Sequence, residues 1–143
     1  MYLAFDTFLS PKVTRARVID GADVVTIARS YDQHFYVEGS ISGHPVTFMI
    51  DTGATTVTIG EELARKMGLT GGYAADFNTA GGRVTGRIVP NVDVQVGGIR
   101  VSGLRVAVNP ALRQALLGQN FLNKLALTQD ADRLILSARK DPG

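Results

Sequence analysis

Cysteine and tryptophan are both absent from this chain of 143 residues. The absence of cysteine excludes disulfides, a thiol nucleophile and cysteine-ligated metals. The chain has two histidines, His34 and His44, and two isolated histidines do not make a metal site. We therefore expect no bound metal.

Long apolar runs and clustered charge are also missing. No apolar stretch reaches the length of a membrane span, and the N-terminus lacks the layout of a signal peptide. The 15 basic and 13 acidic residues leave a formal charge of +2 and are scattered along the chain. We therefore expect a soluble protein with no nucleic-acid partner.

Glycine is abundant, with 16 residues among many valines, isoleucines and threonines. This composition predicts short strands and tight turns. Alternating patterns predict the following strands: 23–29, 34–41, 46–51, 57–59, 92–96, 99–101, 104–108 and 133–137. Short helices are predicted at 61–68 and 120–125, and a bulge at Gly103.

The most informative stretch is an apolar strand that runs into an acid, Asp51, followed by Thr52 and Gly53. Strand alternation places Val46, Phe48 and Ile50 on one face, which we interpret as the core face, and Thr47, Met49 and Asp51 on the other. An ionised carboxylate at the end of an apolar strand usually has a partner or a task. Asp51 is therefore the candidate functional residue.

Two further segments follow Asp51 in a recognisable order. The first is a predicted hairpin at 77–87 with Gly81 and Gly82 at its tip. The second is an apolar-apolar-Gly segment, 116–118, followed by the short helix. Together the three segments resemble the retropepsin-like aspartic proteases, most closely their single-lobe bacterial members. The resemblance covers roughly residues 24–137 and implies an all-β half-barrel with one or two short helices and a flap hairpin.

The resemblance also implies a domain organisation and a location. Residues 1–22 form an N-terminal arm or linker, residues 23–138 form the protease domain, and residues 139–143 form a C-terminal tail. In bacterial relatives the region before the domain commonly connects to an upstream membrane helix. The resemblance therefore implies a periplasmic domain that would meet a membrane only through such an anchor.

Aspartic-protease chemistry needs two carboxylates that share one proton and hold a water. The chain has one Asp-Thr-Gly, so the resemblance implies a homodimeric endopeptidase in which Asp51 meets its twin. No organic cofactor is implied. The implied roles are as follows: catalysis by Asp51; support of the active-site loop by Thr52, Gly53 and Ala54; flap and substrate binding by Ala80, Gly81, Gly82, Arg83 and Val84; and a buttress under the loop by Leu116, Leu117 and Gly118.

The implied substrate is an extended polypeptide that binds by strand addition. Because the cleft face near Met49 and Val84 is apolar, apolar residues are expected on both sides of the cut bond. The chain departs from retroviral relatives at Thr55 and Gln119, which stand where those relatives usually have an acid and an arginine. Both charges are missing together, which favours a neutral hydrogen bond in their place. The predicted C-terminal hairpin is a second departure and affects how a dimer sheet is built.

Simpler interpretations remain open at this point. The alternative for Asp51 is a structural turn that it caps through its own backbone, which the three-part match disfavours. By pattern alone, an ordinary turn like Gly97-Gly98 explains the Gly81-Gly82 pair equally well. The stretch 51–56 loosely matches the actin-like phosphate motif, but that fold needs two large subdomains, for which the chain is too short. On the same fold, the alternative to an enzyme is a non-proteolytic dimerisation or peptide-binding module.

Overall fold

The computed structural model describes residues 13–15 and 24–139. Eleven strands and two short helices lie in the described part of the chain. In order they are β1 (Val13–Arg15), β2 (Val24–Ala28), β3 (Tyr36–Ile41), β4 (His44–Ile50), β5 (Val57–Ile59), α1 (Glu61–Lys66), β6 (Tyr73–Thr79), β7 (Gly82–Val96), β8 (Ile99–Val108), β9 (Ala115–Leu117), α2 (Gln119–Leu122), β10 (Leu125–Gln129) and β11 (Arg133–Ala138). Most of the predicted arm (1–22) and tail (139–143) lies outside the described residues.

The strands form two sheets. Eight of them follow the order β1-β3-β4-β9-β5-β8-β7-β6, and an additional pairing of β3 with β7 curls this sheet towards a barrel. The other three form an antiparallel sheet in the order β10-β11-β2. The largest fully buried side chains, which come from both sheets and from α2, include Phe48, Ile27, Leu136 and Phe121. The predicted all-β half-barrel with two short helices is therefore confirmed.

The strand that leads to Asp51 has the predicted alternation. Val46 and Phe48 are buried, whereas Thr47 is exposed. Ile50 is half-buried and packs against the core. The core face of β4 therefore anchors the strand, and Asp51 emerges on the opposite face.

Segment β9 lies between two strands that are close in sequence. It runs parallel to β4, pairing Phe48 with Ala115 and Ile50 with Leu117. On its other side it pairs with β5 through Thr58 and Leu116. A segment about sixty residues further along the chain therefore inserts between β4 and β5.

The first helix follows its sequence signals closely. Glu61 and Glu62 lie in the first turn and Arg65 and Lys66 in the last, which matches the helix dipole. Gly68, which follows the helix, has φ +69°, a conformation that glycine adopts at little cost.

Several predicted boundaries were wrong by small amounts. Helix α2 spans residues 119–122, not 120–125, and residue 125 already begins β10. The strands predicted at 99–101 and 104–108 are one strand, and the one predicted at 92–96 is the end of the 15-residue β7. Strands β7 and β8 remain paired on both sides of the predicted interruptions, so each is one continuous strand.

Two bulges account for this continuity. From Val92 to Val94 the partner strand moves from Leu104 to Val101, so β8 carries one extra residue. Gly103, with φ +73°, lies at this bulge as predicted. Between Val89 and Val92 the extra residue is on β7, next to Pro90 and Asn91, and the sequence analysis missed this second bulge.

Gly118 provides a test of how closely β9 must approach its neighbours. It is buried at the end of β9, and a Cβ there would collide with the Thr56 carbonyl and lie 2.9 Å from the Ala54 oxygen. We expect Gly118→Ala to lower the free energy of unfolding by about 1–3 kcal/mol, because backbone atoms must move. Gly81→Ala is the control, since its Cβ would have no neighbour nearer than 3.9 Å. Equal unfolding midpoints in urea for the two variants would contradict this expectation.

Candidate active site

Asp51 lies directly after β4, with its side chain half-buried. Its backbone N–H donates to the Leu117 carbonyl at 3.1 Å. Its Oδ1 accepts the Gly53 N–H at 2.9 Å, and its own carbonyl accepts the Ala54 N–H at 3.2 Å. The carboxylate is therefore held within its own turn, and Oδ2 accepts no hydrogen bond from the residues that the structure describes.

The turn after Asp51 is tied to the start of α2. The N–H groups of Gln119 and Asn120 donate to the carbonyls of Ala54 and Thr55 at 2.8 and 3.0 Å. The Gln119 side chain adds a third bond, from Nε2 to the Thr52 carbonyl at 2.7 Å. Gln119 thus makes a neutral hydrogen bond where an ion pair is usual in retroviral relatives, and its acceptor is the Thr52 backbone.

The segment 116–118 lies against the Asp51 turn. Leu117 is fully buried and Leu116 is half-buried. The Leu117 carbonyl holds the backbone of Asp51, and Gly118 approaches the carbonyls of Ala54 and Thr56 closely. The structure therefore brings this segment and the Asp-Thr-Gly turn together through backbone contacts.

Asn120 is a site residue that the sequence analysis missed. Its Oδ1 accepts the Val57 N–H at 2.8 Å, and its Nδ2 donates to the Arg105 carbonyl at 2.7 Å. These bonds connect the far end of the active-site loop to β8 and to α2. The sequence did contain a signal for this role: Asn120 lies between the apolar pairs 116–117 and 121–122. A polar side chain that is buried with such neighbours needs hydrogen-bond partners.

The candidate flap is the hairpin of β6 and β7. Thr79 pairs with Gly82, so the tip is formed by Ala80 and Gly81, not by Gly81 and Gly82 as predicted. Gly82 has φ +115° and is the first residue of β7. The Thr79 hydroxyl donates to the Gly82 carbonyl at 2.7 Å and closes the tip.

The flap residues differ in exposure. Ala80, Gly81, Gly82 and Arg83 are exposed, whereas Val84 is half-buried and pairs with Phe77. Among the described residues no hydrogen bond joins this hairpin to the Asp51 turn. Within the described residues, the tip of the hairpin is therefore exposed and is not hydrogen-bonded to the Asp51 turn.

Arg87 anchors the base of the hairpin. Its Nη2 donates to Glu61 Oε1 at 3.1 Å and to the Leu69 carbonyl at 2.8 Å, and its Nη1 donates to the Gly71 carbonyl at 2.9 Å. The guanidinium thus connects β7 to the start of α1 and to the segment that follows it. The base of the flap is fixed while its tip remains exposed.

A second ordered feature lies beside β4. The Tyr36 hydroxyl donates to Asp32 Oδ2 at 2.6 Å, and Tyr36 pairs with Met49 in the sheet. Burial, together with this carboxylate, raises the pKa of Tyr36 to about 12. Burial opposes ionisation of Asp32, but the hydrogen bonds from the Tyr36 hydroxyl and the His34 amide outweigh it and lower the pKa of Asp32. The loop before β3 is therefore fixed by a charge-assisted bond.

A cavity of about 180 Å³ adjoins the active-site loop. Ile50 and Thr52 line it from the Asp51 side, and Leu127 and Leu134 line it from the three-stranded sheet. The site therefore lies where the two sheets meet.

The described residues were compared with two further kinds of site, a metal-ligand cluster and a membrane-spanning helix. No group of three or more histidine, aspartate and glutamate side chains in that part of the chain is arranged to hold a metal ion. No described helix has the length and apolar character needed to cross a membrane.

Three comparisons with known proteins bear on this site. The model of the family described as "gag-polyprotein putative aspartyl protease" matches residues 37–124, which is more than half of the chain. A solved structure, titled as a retropepsin-like aspartic protease from Rickettsia conorii, is 30% identical with a TM-score of 0.70. The match covers 80% of this chain and 90% of that one.

Two curated bacterial proteins are also similar. "Uncharacterized protein in cobV 5'region" from a Sinorhizobium species is 30% identical over 80% of this chain and 53% of that protein. Protein RP867 of Rickettsia prowazekii is 41% identical over 44 residues, which is 31% of this chain and 19% of that protein. The chain thus spans about half the length of the Sinorhizobium relative and less of the Rickettsia one.

The family match includes the Asp-Thr-Gly turn, the candidate flap and the segment 116–118, which the structure places in one β domain. The structural match extends over most of both chains. The chain belongs to the retropepsin-like aspartic protease family.

Proposed function

We propose that this chain is an aspartic endopeptidase that is active as a homodimer, with each copy supplying one Asp51. The observation that carries the proposal is the way the Asp51 turn is held. Leu117 fixes its backbone, Gly53 binds one carboxylate oxygen, and Gln119 fixes the Thr52 carbonyl. A turn that only reverses the chain direction can be held by its own hydrogen bonds. The Asp51 turn is bound in addition by β9 and by α2.

The proposed mechanism uses the two Asp51 carboxylates as one unit. They share a proton and hold a water between them. The ionised member takes a proton from the water as it attacks the scissile carbonyl carbon, and the protonated member donates to the carbonyl oxygen. When the tetrahedral intermediate collapses, the carboxyl that took the water's proton gives a proton to the amine nitrogen. The other carboxylate removes a proton from one hydroxyl of the intermediate, the C=O bond re-forms and the C–N bond breaks. One chain has one such carboxylate, so the chemistry requires the second copy.

The surrounding residues have proposed roles in binding. Thr52 is exposed and would hydrogen-bond across the two-fold axis, and Gly53 would bring its backbone to the substrate. The flap, residues 80–84, would close over an extended peptide and donate backbone N–H groups. Met49 and Val84 would contact apolar side chains next to the cut bond.

The longer protein and its location also belong to this proposal. The Sinorhizobium relative is about twice the length of the part that this chain matches. We propose that the domain works outside the cytoplasm, as the periplasmic part of a membrane-anchored bacterial protein. The alternative on the same fold is a non-proteolytic dimerisation or peptide-binding module, which Asp51 substitution distinguishes from an enzyme.

Replacing Asp51 with Asn tests the catalytic claim. The amide cannot act as the base, so we expect kcat/KM on a generic peptide library to fall by at least about 10³-fold, with the fold retained. Asp93→Asn is the control, because Asp93 pairs with Arg100 on the surface and exposed pairs contribute little. Cleavage by Asp51→Asn at the wild-type rate would rule out the mechanism and favour the module.

Gln119→Leu tests the support of the loop. Loss of the Nε2 donor frees the Thr52 carbonyl, and a small displacement of catalytic groups can cost about 10²-fold in rate. We expect kcat to fall by about 10- to 100-fold while the unfolding midpoint changes little. Gln114→Leu is the matched control, since Gln114 donates to the Thr47 carbonyl at 3.1 Å on a part of β4 away from Asp51. Equal kcat values for the two variants would show that the Gln119 bond does not position the loop.

The pH dependence follows from the shared proton. We expect kcat/KM to be highest at mildly acidic pH and to fall on both sides, because one carboxylate must be ionised and the other protonated. The measurement is a pH profile of peptide cleavage with sedimentation at each pH, so that loss of the dimer is separated from loss of catalysis. Activity that rises steadily into the alkaline range would contradict the shared-proton mechanism.

A further inference from the structure

The cavity of about 180 Å³ beside the active-site loop is lined by two kinds of residue. Its polar lining includes Arg29, Gln33 and His34, and its apolar lining includes Phe35 and Leu134. None of the described residues that line it carries a carboxylate. Its charge therefore comes from a guanidinium, and such a cavity attracts an anionic group and repels a cation.

Arg29 is the charged residue of this cavity, and its guanidinium is held from two sides. Its Nε donates to the Ala131 carbonyl at 2.7 Å, and its Nη1 donates to the Gln33 carbonyl at 2.9 Å. The guanidinium carbon lies 4.6 Å from the centre of the Phe35 ring, on which the group stacks. Among the described residues Nη2 has no hydrogen-bond partner. A guanidinium that is already fixed in place loses little entropy when it binds a carboxylate.

Three acids lie close to Arg29 along the chain or in the turn that binds it. Asp32 has both carboxylate oxygens engaged, one by a backbone N–H and the other by a tyrosine hydroxyl. Asp130 and Asp132 stand on either side of the residue whose carbonyl holds Nε, but neither of them lines the cavity. Within the described part of the chain, none of the three forms an ion pair with Arg29. The guanidinium is therefore available to a carboxylate from another molecule.

The cavity lies within reach of a peptide bound at Asp51. Ile50 and Thr52, the residues on either side of Asp51, form part of its lining. Because alternate side chains of an extended peptide point to the same side, a peptide that passes Asp51 can direct one side chain into the cavity. The cavity is smaller than the roughly 300 Å³ at which small-molecule pockets begin, so its size suits a single side chain.

We propose that this cavity is a specificity site that receives an acidic side chain of the peptide substrate, and that Arg29 binds its carboxylate. Phe35 and Leu134 contact the methylene groups of that side chain. The acidic residue lies away from the cut bond, whose two neighbours remain the apolar residues of the proposed function. The inference rests on that function for the presence of a peptide beside Asp51.

Competition between matched peptides tests the specificity site. Two peptides that differ only by glutamate in place of glutamine at one position are cleaved in the same tube, and the position is scanned along the peptide. The ratio of the products gives the ratio of the two kcat/KM values, which does not depend on how much of the enzyme is active. We expect the glutamate peptide to be preferred by about 10- to 100-fold at one position, because hydrogen bonds to a charged group are the stronger ones.

Two variants assign the preference to the cavity. Arg29→Met removes the charge and keeps an unbranched side chain, so we expect the preference to fall to within about twofold. Arg29 also supports its own loop, so the second variant leaves it in place. Gln129→Glu adds a carboxylate to the cavity lining, which competes for Arg29 and should also abolish the preference. Thr128→Glu is the matched control, because the preceding residue of β10 points to the opposite face and should keep the preference.

Two results would overturn the assignment. A ratio within about twofold at every position of the peptide, in the wild-type enzyme, would show that the cavity does not select the substrate. That is the result expected if a second copy of the chain fills the cavity. An unchanged preference in both Arg29→Met and Gln129→Glu would place the recognition of the acidic side chain elsewhere.

Binding to the Asp51→Asn chain separates specificity from catalysis. Fluorescence anisotropy measures the Kd of the glutamate and glutamine peptides without cleavage. Tighter binding of the glutamate peptide, together with wild-type cleavage that does not depend on Asp51, would keep the specificity site and remove the aspartic-protease mechanism. Cleavage that depends on Asp51, together with equal Kd and equal cleavage of the two peptides, would keep the mechanism and remove the specificity site.

Discussion

The contact on which this structure depends is the backbone packing of the segment 115–120 against the turn that carries Asp51. The Leu117 carbonyl accepts the Asp51 N–H, and the Gln119 and Asn120 N–H groups reach carbonyls on the far side of the same turn. These bonds require two main chains to approach within van der Waals distance. Gly118 makes that approach possible because any side chain there would meet the Thr56 carbonyl.

The Asp51 turn is held in place by neutral hydrogen bonds and not by a buried ion pair. An ion pair beside a catalytic carboxylate must offset the cost of removing both charges from water. Gln119 and Asn120 instead satisfy carbonyls and an amide with neutral side chains. Among the described residues that are not exposed, no buried side-chain nitrogen or oxygen lacks a hydrogen-bond partner. The Asp51 carboxylate is therefore the one ionisable group in its turn, and its Oδ2 remains available for water or for a second carboxylate.

The two sheets contribute differently to function. The large sheet fixes Asp51 through β4 and β9, and its strands β6 and β7 form the candidate flap. The small sheet contributes no residue to the proposed chemistry, but its edge shares a cavity with the loop. In the proposed enzyme, a single copy supplies one of the two catalytic carboxylates.

The sequence by itself determined the class of fold, the position of Asp51 at the end of an apolar strand, and the order of the three segments. Alternation along 46–50 and the helix signals at 61–68 are local, so they could be read without tertiary contacts. Tertiary structure decided what depends on distant pairing. Strand pairing placed the hairpin tip at Ala80 and Gly81. Bulges allowed β7 and β8 each to continue as one strand where local patterns had indicated an interruption. Contacts 63 and 67 positions apart in sequence gave Asn120 its Val57 partner and Gln119 its Thr52 partner. Because a hydrogen-bond partner is set by where the chain returns in space, no local pattern could have supplied it.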